Sequence, residues 1–315
     1  MKDQLIKNIL QRNIEIKNGI NSEIKTGLVV QGGAMRGTYS MASLMALEEI
    51  GIGSAFDHVV GSSAGAINAA YLLANQAKMA VSVYLDDISN KNFIDFARVK
   101  KIVDIDFLVD GVLKKNKSIN AEQVRLSHSI LHVILSEVLS AKPFIVTNKD
   151  EDFNLMETIR ATAAMPILYN KIIQINGRGF IDGGVTDAIP LLPAINQGCT
   201  DILVVLTRDP CFRRKPDGFL INMLKKFFLR NFPKELKEII LTEDREHFNK
   251  TMDILESPSN YYPNIRIGLI YPSELKLLVS RTTNDRDKLL KCALMARNDT
   301  RRFFNLKLMD DNPFV

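Results

Sequence analysis

Three short stretches of this chain carry residues that could do chemistry, and the middle one is the most telling. Val59-Val60-Gly61-Ser62-Ser63-Ala64-Gly65-Ala66-Ile67-Asn68 reads as an apolar strand, a sharp turn bearing Gly-x-Ser-x-Gly, and a helix. In that context a serine is held on a strained strand-to-helix turn with its hydroxyl directed outward. Gly61 and Gly65 carry no Cβ to collide where the two elements meet. Ser63 is therefore the candidate nucleophile.

A glycine-rich turn lies just upstream. The buried-strand pattern Thr26-Gly27-Leu28-Val29-Val30-Gln31 runs into Gly32-Gly33-Ala34-Met35-Arg36-Gly37, and an apolar helical pattern follows. Such a turn presents free backbone N–H groups and the positive end of a helix dipole, so it stabilises negative charge. A P-loop would need Gly-Lys-Ser/Thr at its end, which is missing. A dinucleotide fingerprint would need glycine where Ala34 stands, and would leave Ser63 without a role. An oxyanion hole beside an acyl-transfer serine uses both features.

The third stretch, Phe180-Ile181-Asp182-Gly183-Gly184-Val185, ends a short strand on an acid before two glycines. A serine hydroxyl is a poor nucleophile until a base takes its proton. The chain has four histidines, and His247 alone follows Asp182 as an α/β-hydrolase triad requires. His247 sits in Glu243-Asp244-Arg245-Glu246-His247-Phe248-Asn249, a charged helical face. The economical arrangement is a dyad in which Asp182 contacts Ser63 directly. The alternatives are a Ser63–Asp182–His247 triad esterase and an impaired lipid-binding or regulatory protein, for which Ala34 is the hint.

These three motifs, in this order and spacing, resemble the patatin-like phospholipases. The likeness covers residues 26 to 300 and includes Arg160-Ala161-Thr162-Ala163-Ala164-Met165-Pro166. Val279-Ser280-Arg281 and the helix after it are similar to a bacterial subgroup of the family. The resemblance implies Ser63 as nucleophile and Asp182 as base, with an oxyanion hole around Gly32, Gly33 and Ala34 and with Arg36 beside it. Gly37, Gly61, Gly65, Gly183 and Gly184 complete the motifs. It further implies hydrolysis of fatty-acyl esters of phospholipids and other lipids, with no metal or organic cofactor. One departure stands out: family members usually carry glycine where this chain has Ala34. If that position needs positive φ, its Cβ costs about 1–2 kcal/mol.

The elements that must position these residues are expected in an α/β fold. The arrangement is a three-layer α/β/α stack, patatin-like, with a largely parallel central sheet, a helical cap and C-terminal helices. Strands are expected at 27–31, 57–61, 143–147, 171–175, 179–182, 201–207 and 264–271. A lead-in at 1–25 precedes a catalytic core at 26–210, with a mostly helical insertion near 81–139 that would serve as a cap. A mostly helical extension packs on the core over 211–315. His128 and His132, four apart within a helical reading, lack the glutamate a zinc hydrolase needs. Asp104, Asp106 and Asp110 lack the spacing of a calcium loop.

Composition sets the remaining bounds. In 315 residues the net charge is +5, too small for the length to argue for nucleic acid. Three cysteines, an odd count without metal-type spacing, suit structural thiols in a reducing compartment. No apolar run is long enough to span a bilayer, and the first residues lack the apolar core of a secretory signal. The expected location is cytoplasmic, peripheral at a membrane surface. Residues 213–237 interleave lysines and arginines with phenylalanines and aliphatics, the composition of a helix in peripheral contact with anionic membrane.

Overall fold

A computed structural model describes residues 1–98, 101–230 and 232–314, apart from the side chains of Leu220, Leu224 and Glu243. Eight strands form one sheet: β1 (Thr26–Val30), β2 (His58–Ser62), β3 (Ile130–Glu137), β4 (Pro143–Thr147), β5 (Ile173–Ile175), β6 (Arg178–Asp182), β7 (Asp201–Val205) and β8 (Arg266–Ile270). The run β3-β2-β1-β7-β8 is parallel, while β4 and β6 lie antiparallel to β3, and β5 antiparallel to β6.

The parallel strands are buried on both faces, and alternate residues feed two separate layers. Leu28, Val30, Val59, Leu203 and Val205 point into the larger core. It is covered by α1 (Lys2–Lys17), α2 (Gly37–Glu49) and α3 (Ala64–Leu73). Val29, Val60, Val204 and Leu206 point the other way, against Leu191, Ala194, Phe248 and Met252. The three-layer α/β/α arrangement follows.

The register of β3 explains why two distant motifs meet. Residues 132–134 pair with β2 on one side and β4 on the other; residues 135 and 136 pair with β4 and β6. A strand has two edges, so β2 and β6 occupy successive stretches of the same edge. Ser62 lies opposite Ile134, and Asp182 lies opposite Leu135. Because β2 runs parallel and β6 antiparallel to β3, their C-terminal ends face each other. Ser63 and Asp182 stand at that junction.

The stretch 81–139 is the main correction to the expected layout. Short helical segments do fill its first part, at Val83–Asp87, Phe107–Asn116 and α4 (Ala121–Leu126), but its last part is the central strand β3. Ile130-Leu131-His132-Val133-Ile134-Leu135 is an unbroken apolar run, and periodicity alone does not separate a fully buried strand from a buried helix. His132 therefore sits on a strand, its Nε2 2.9 Å from His58 Nδ1, and His128 lies before that strand, 3.3 Å from Asp57. Among the described residues no cluster of three metal-ligating side chains occurs.

The lead-in is largely the helix α1, which packs on the sheet. Leu5 and Ile9 of α1 are fully buried, and Arg12 binds Asp57 at 2.6 Å while Asn8 donates to Asp201 at 2.9 Å. Toward the C-terminus come α5 (Leu155–Thr162), α6 (Leu191–Asn196), α7 (Phe219–Phe228), α8 (Lys234–Glu238), α9 (Asp244–Glu256), α10 (Pro258–Tyr261) and α11 (Arg286–Phe303). Among the described residues no helix is long and apolar enough to cross a membrane.

Candidate active site

Ser63 caps the transition from β2 to α3 with φ 54 and ψ −134. A non-glycine residue in that region is strained by about 1–3 kcal/mol and persists because its surroundings over-determine it. Three features do so here. A Cβ on Gly65 would run into the Val30 carbonyl, so α3 packs directly on the end of β1. The Ser63 N–H donates to Thr162 Oγ1 at 2.8 Å, and Thr162 Oγ1 donates in turn to Ile134 O at 2.6 Å. On the other side of Ser63, a Cβ on Gly61 would meet Ala66 N at 2.7 Å.

Asp182 is held as firmly. Its N–H donates to Ala164 O at 3.1 Å, and its carbonyl accepts Ser136 Oγ at 2.7 Å. Gly183 leaves no room for a side chain against the Ile134 carbonyl. The Gly184 N–H donates to Asp182 Oδ1 at 2.7 Å, which leaves Oδ2 to accept the Ser63 hydroxyl at 2.8 Å. Burial pushes the Asp182 carboxyl up to about 6, against the Ser63 and Gly184 hydrogen bonds that hold it down. Such a carboxylate is still ionised at neutral pH and is a stronger base than a solvated one.

His247 does not join this pair. Its Nε2 lies 3.4 Å from Asp187 Oδ1, and the hydrogen bond to Asp187 raises its pKa despite burial. Asp182 has taken Ser63 directly, so the triad geometry is not assembled.

The glycine-rich turn follows β1. Gly33 has φ 134 and Ala34 has φ 51. The N–H groups of Gly33 and Ala34 find no acceptor among the described residues, and Ala34 borders the space in front of Ser63. Gly32 is wedged against the elbow, where a Cβ would meet Ser62 O at 2.6 Å. Gly37 opens α2, and its carbonyl accepts Asn68 Nδ2 at 2.9 Å, tying that helix to α3. Arg36 departs from expectation. Its Nε donates to Val279 O at 2.9 Å, its Nη1 is buried without a partner among the described residues, and it borders neither cavity at Ser63. It fastens residues 279–281 to the turn.

Since Ala34 does adopt positive φ, its Cβ strains the turn by about 1–2 kcal/mol. Ala34→Gly is expected to raise unfolding stability by about 1 kcal/mol in a denaturant titration, with no loss of hydrolytic rate. A fall in stability, the ordinary result of Ala→Gly, would show that the turn is unstrained.

Two cavities meet at the Ser63–Asp182 pair. One, of about 60 Å³, is apolar and runs between Ile67, Val83, Ile88, Phe93, Val103 and Leu108. The other, of about 490 Å³, opens toward residues 208–245 and Arg281. The segment expected as a cap thus walls the apolar cavity. Sequence reasoning did not bring Arg208, Arg214 and Arg281 to the site; they line the larger cavity together with Lys215, Lys225 and Arg245.

Comparison with known proteins gives the family. A family model described as patatin-like phospholipase matches residues 28–195, more than half of the chain. An uncharacterized protein, YjjU, of Escherichia coli (strain K12) is 27% identical over 190 residues, which is 58% of this chain and 52% of that protein. The match therefore spans about half the length of this curated relative. Among solved structures, VipD from Legionella pneumophila is similar with TM-score 0.49 and 14% identity, covering 90% of this chain and 67% of VipD. ExoU from Pseudomonas aeruginosa, solved with SpcU, is similar with TM-score 0.29 and 15% identity, covering 73% of this chain and 53% of ExoU. With its serine elbow, its glycine turn and its Asp-Gly-Gly strand end inside or beside the matched stretch, the chain belongs to the patatin-like phospholipase family.

Proposed function

We propose that this protein is a serine acyl hydrolase that cleaves fatty-acyl esters of lipids through a Ser63–Asp182 dyad. Family membership implies lipid hydrolase activity, and the observation that carries the finer reading is the 2.8 Å hydrogen bond from Ser63 Oγ to Asp182 Oδ2 in a buried pocket. In this reading Asp182 takes the serine proton as Oγ attacks the ester carbonyl. The tetrahedral oxyanion is met by the N–H groups of Gly33 and Ala34, with the N-terminus of α3 behind it. Collapse expels the alcohol, protonated by Asp182, and leaves an acyl-enzyme. Water activated by the same carboxylate then releases the fatty acid. The acyl chain takes the apolar cavity and the alcohol side takes the larger one. The catalytic unit is residues 26–210, and residues 211–315 wall the alcohol side.

The same reading gives α7 a place at the lipid surface. Phe219 is 86% exposed and Phe227 is 60% exposed, and Met223, Lys226 and Arg230 lie exposed at matching helical spacing. An outward face of aromatics and cations suits an anionic interface. Lys225 turns away from it, paired with Asp217 at 2.6 Å beside the larger cavity.

The test uses anionic vesicles of phospholipid and a soluble short-chain ester side by side. Fatty acid is released from both, and Ser63→Ala removes both activities. Replacing Phe219 and Phe227 with serine and Lys226 and Arg230 with glutamine lowers vesicle binding and vesicle hydrolysis at least about tenfold, since each cation at the surface contributes on the order of 1 kcal/mol. Hydrolysis of the soluble ester persists in that variant. Absence of release from either substrate would sink the hydrolase reading, and equal loss on both would sink the docking role of α7.

A further inference from the structure

Two arginines beside the dyad have no part in the chemistry above. Arg208 follows Thr207, whose N–H donates to Gln31 Oε1 at 2.7 Å and whose hydroxyl donates to Gly32 O at 2.8 Å. Arg281 lies in the segment clasped by the glycine turn, its carbonyl accepting the Met35 N–H at 3.2 Å. Both backbones are thus fixed to the turn that faces Ser63, and both side chains border the 490 Å³ cavity that Ser63 and Asp182 share. Both also lie beyond the 28–195 stretch that the family model matches.

The charges around this cavity do not balance. Asp244 is taken by Arg214 and Asp217 by Lys225. Among the described residues Arg208, Arg281 and Lys215 border the cavity without a carboxylate partner, and Arg208 rests on the ring of Phe212 at 4.2 Å. Burial, with the neighbouring charges of Arg36, Arg281 and Arg214, pushes the Arg208 guanidinium down to about 9. The half-buried Arg208 cation, with arginines for neighbours, is thereby disfavoured, and an anion entering the cavity would relieve it. Guanidinium forks match phosphate oxygens in particular. A choline or ethanolamine head, by contrast, would find the bordering aspartates Asp182, Asp217 and Asp244 already engaged.

We propose that Arg208 and Arg281 form a phosphate subsite that directs the enzyme to acyl esters of glycerol bearing a phosphate monoester. The subsite rests on the acyl-hydrolase reading of the same cavity. It places the dianionic phosphate on the alcohol side of the ester, a short glycerol arm from Ser63.

Three substrates of one acyl chain length test it: 1-acylglycerol 3-phosphate, 1-acylglycerophosphocholine and 1-acylglycerol. The expected order of kcat/KM is phosphate monoester first, neutral glyceride last. In the double variant Arg208→Gln, Arg281→Gln, kcat/KM on the phosphate monoester falls about 10- to 100-fold, the effect of losing hydrogen bonds to a charged group. The fall on the neutral glyceride is much smaller, so the preference collapses. A parallel fall on all three substrates, or a parent enzyme that prefers the neutral glyceride, overturns the subsite.

Thermal unfolding supplies a readout that needs no turnover. The protein's Tm rises with sn-glycerol 3-phosphate but not with glycerol, and the double variant loses the rise. An equal rise with inorganic phosphate would make the free ion the ligand and overturn the headgroup assignment. An arginine-dependent rise without turnover of any ester would sink the hydrolase reading while leaving the subsite standing; turnover that ignores both substitutions would do the reverse. Arg281 is exposed, so Arg281→Gln alone carries the test if the double variant fails to fold.

Discussion

Ser63→Ala is expected to abolish covalent labelling by a fluorophosphonate and to reduce ester hydrolysis by at least about 10⁴-fold, as removal of a catalytic serine does elsewhere. A fluorophosphonate reports a serine that is activated and reachable, and Ser63 meets both conditions: its hydroxyl is bonded to a buried carboxylate and it borders both cavities. The neighbouring Ser62 is buried, so Ser62→Ala should label as the parent does. Folding should survive Ser63→Ala, because the elbow is held by the Ser63 N–H to Thr162 bond and by close packing at Gly61 and Gly65. Labelling that persists would place the nucleophile elsewhere.

The parts of this site that sequence made legible are those that local geometry encodes. Ser63 directly follows one strand and Asp182 ends another, each at a tight turn. Such turns write themselves into sequence as glycines that cannot carry a Cβ, at Gly65 beneath the elbow and at Gly183 beside Ile134. Seven strands could be placed to within two or three residues for the same reason, since turn residues bracket them. The strand that joins the two motifs, β3, was not legible. Burial on both faces removes the alternation that marks a strand, and His128 and His132 supplied a false helical spacing. Arg36 was grouped with the oxyanion turn by adjacency alone; the carbonyl that claims it, Val279, lies far along the chain. Arg208 fell outside sequence reasoning, and Arg281 entered it without a role, because their convergence is purely tertiary. An arginine without a partner looks the same in sequence as one with a partner.

The Asp182→Asn variant separates chemistry from stability, because the two effects run in opposite directions. An amide holds both hydrogen bonds in place, accepting the Gly184 N–H and facing the Ser63 hydroxyl, but it cannot take a proton. Hydrolysis should therefore drop about 10²- to 10⁴-fold, the contribution of a positioned general base. In the parent, kcat/KM should fall as pH drops through about 6, where Asp182 protonates, and His247→Ala should leave that limb unmoved. The stability argument uses the same shift. The folded-state pKa lies above the unfolded value of 3.8, so the parent loses stability as pH rises from about 4 through about 6. At pH 8 the charged carboxylate costs the fold roughly 3 kcal/mol, at 1.36 kcal/mol for each pKa unit. The amide carries no such charge, so the inactive variant should melt at a higher temperature than the parent at pH 8, the gap closing toward pH 4. An active variant, or a pH limb that disappears with His247, would restore the histidine as the base.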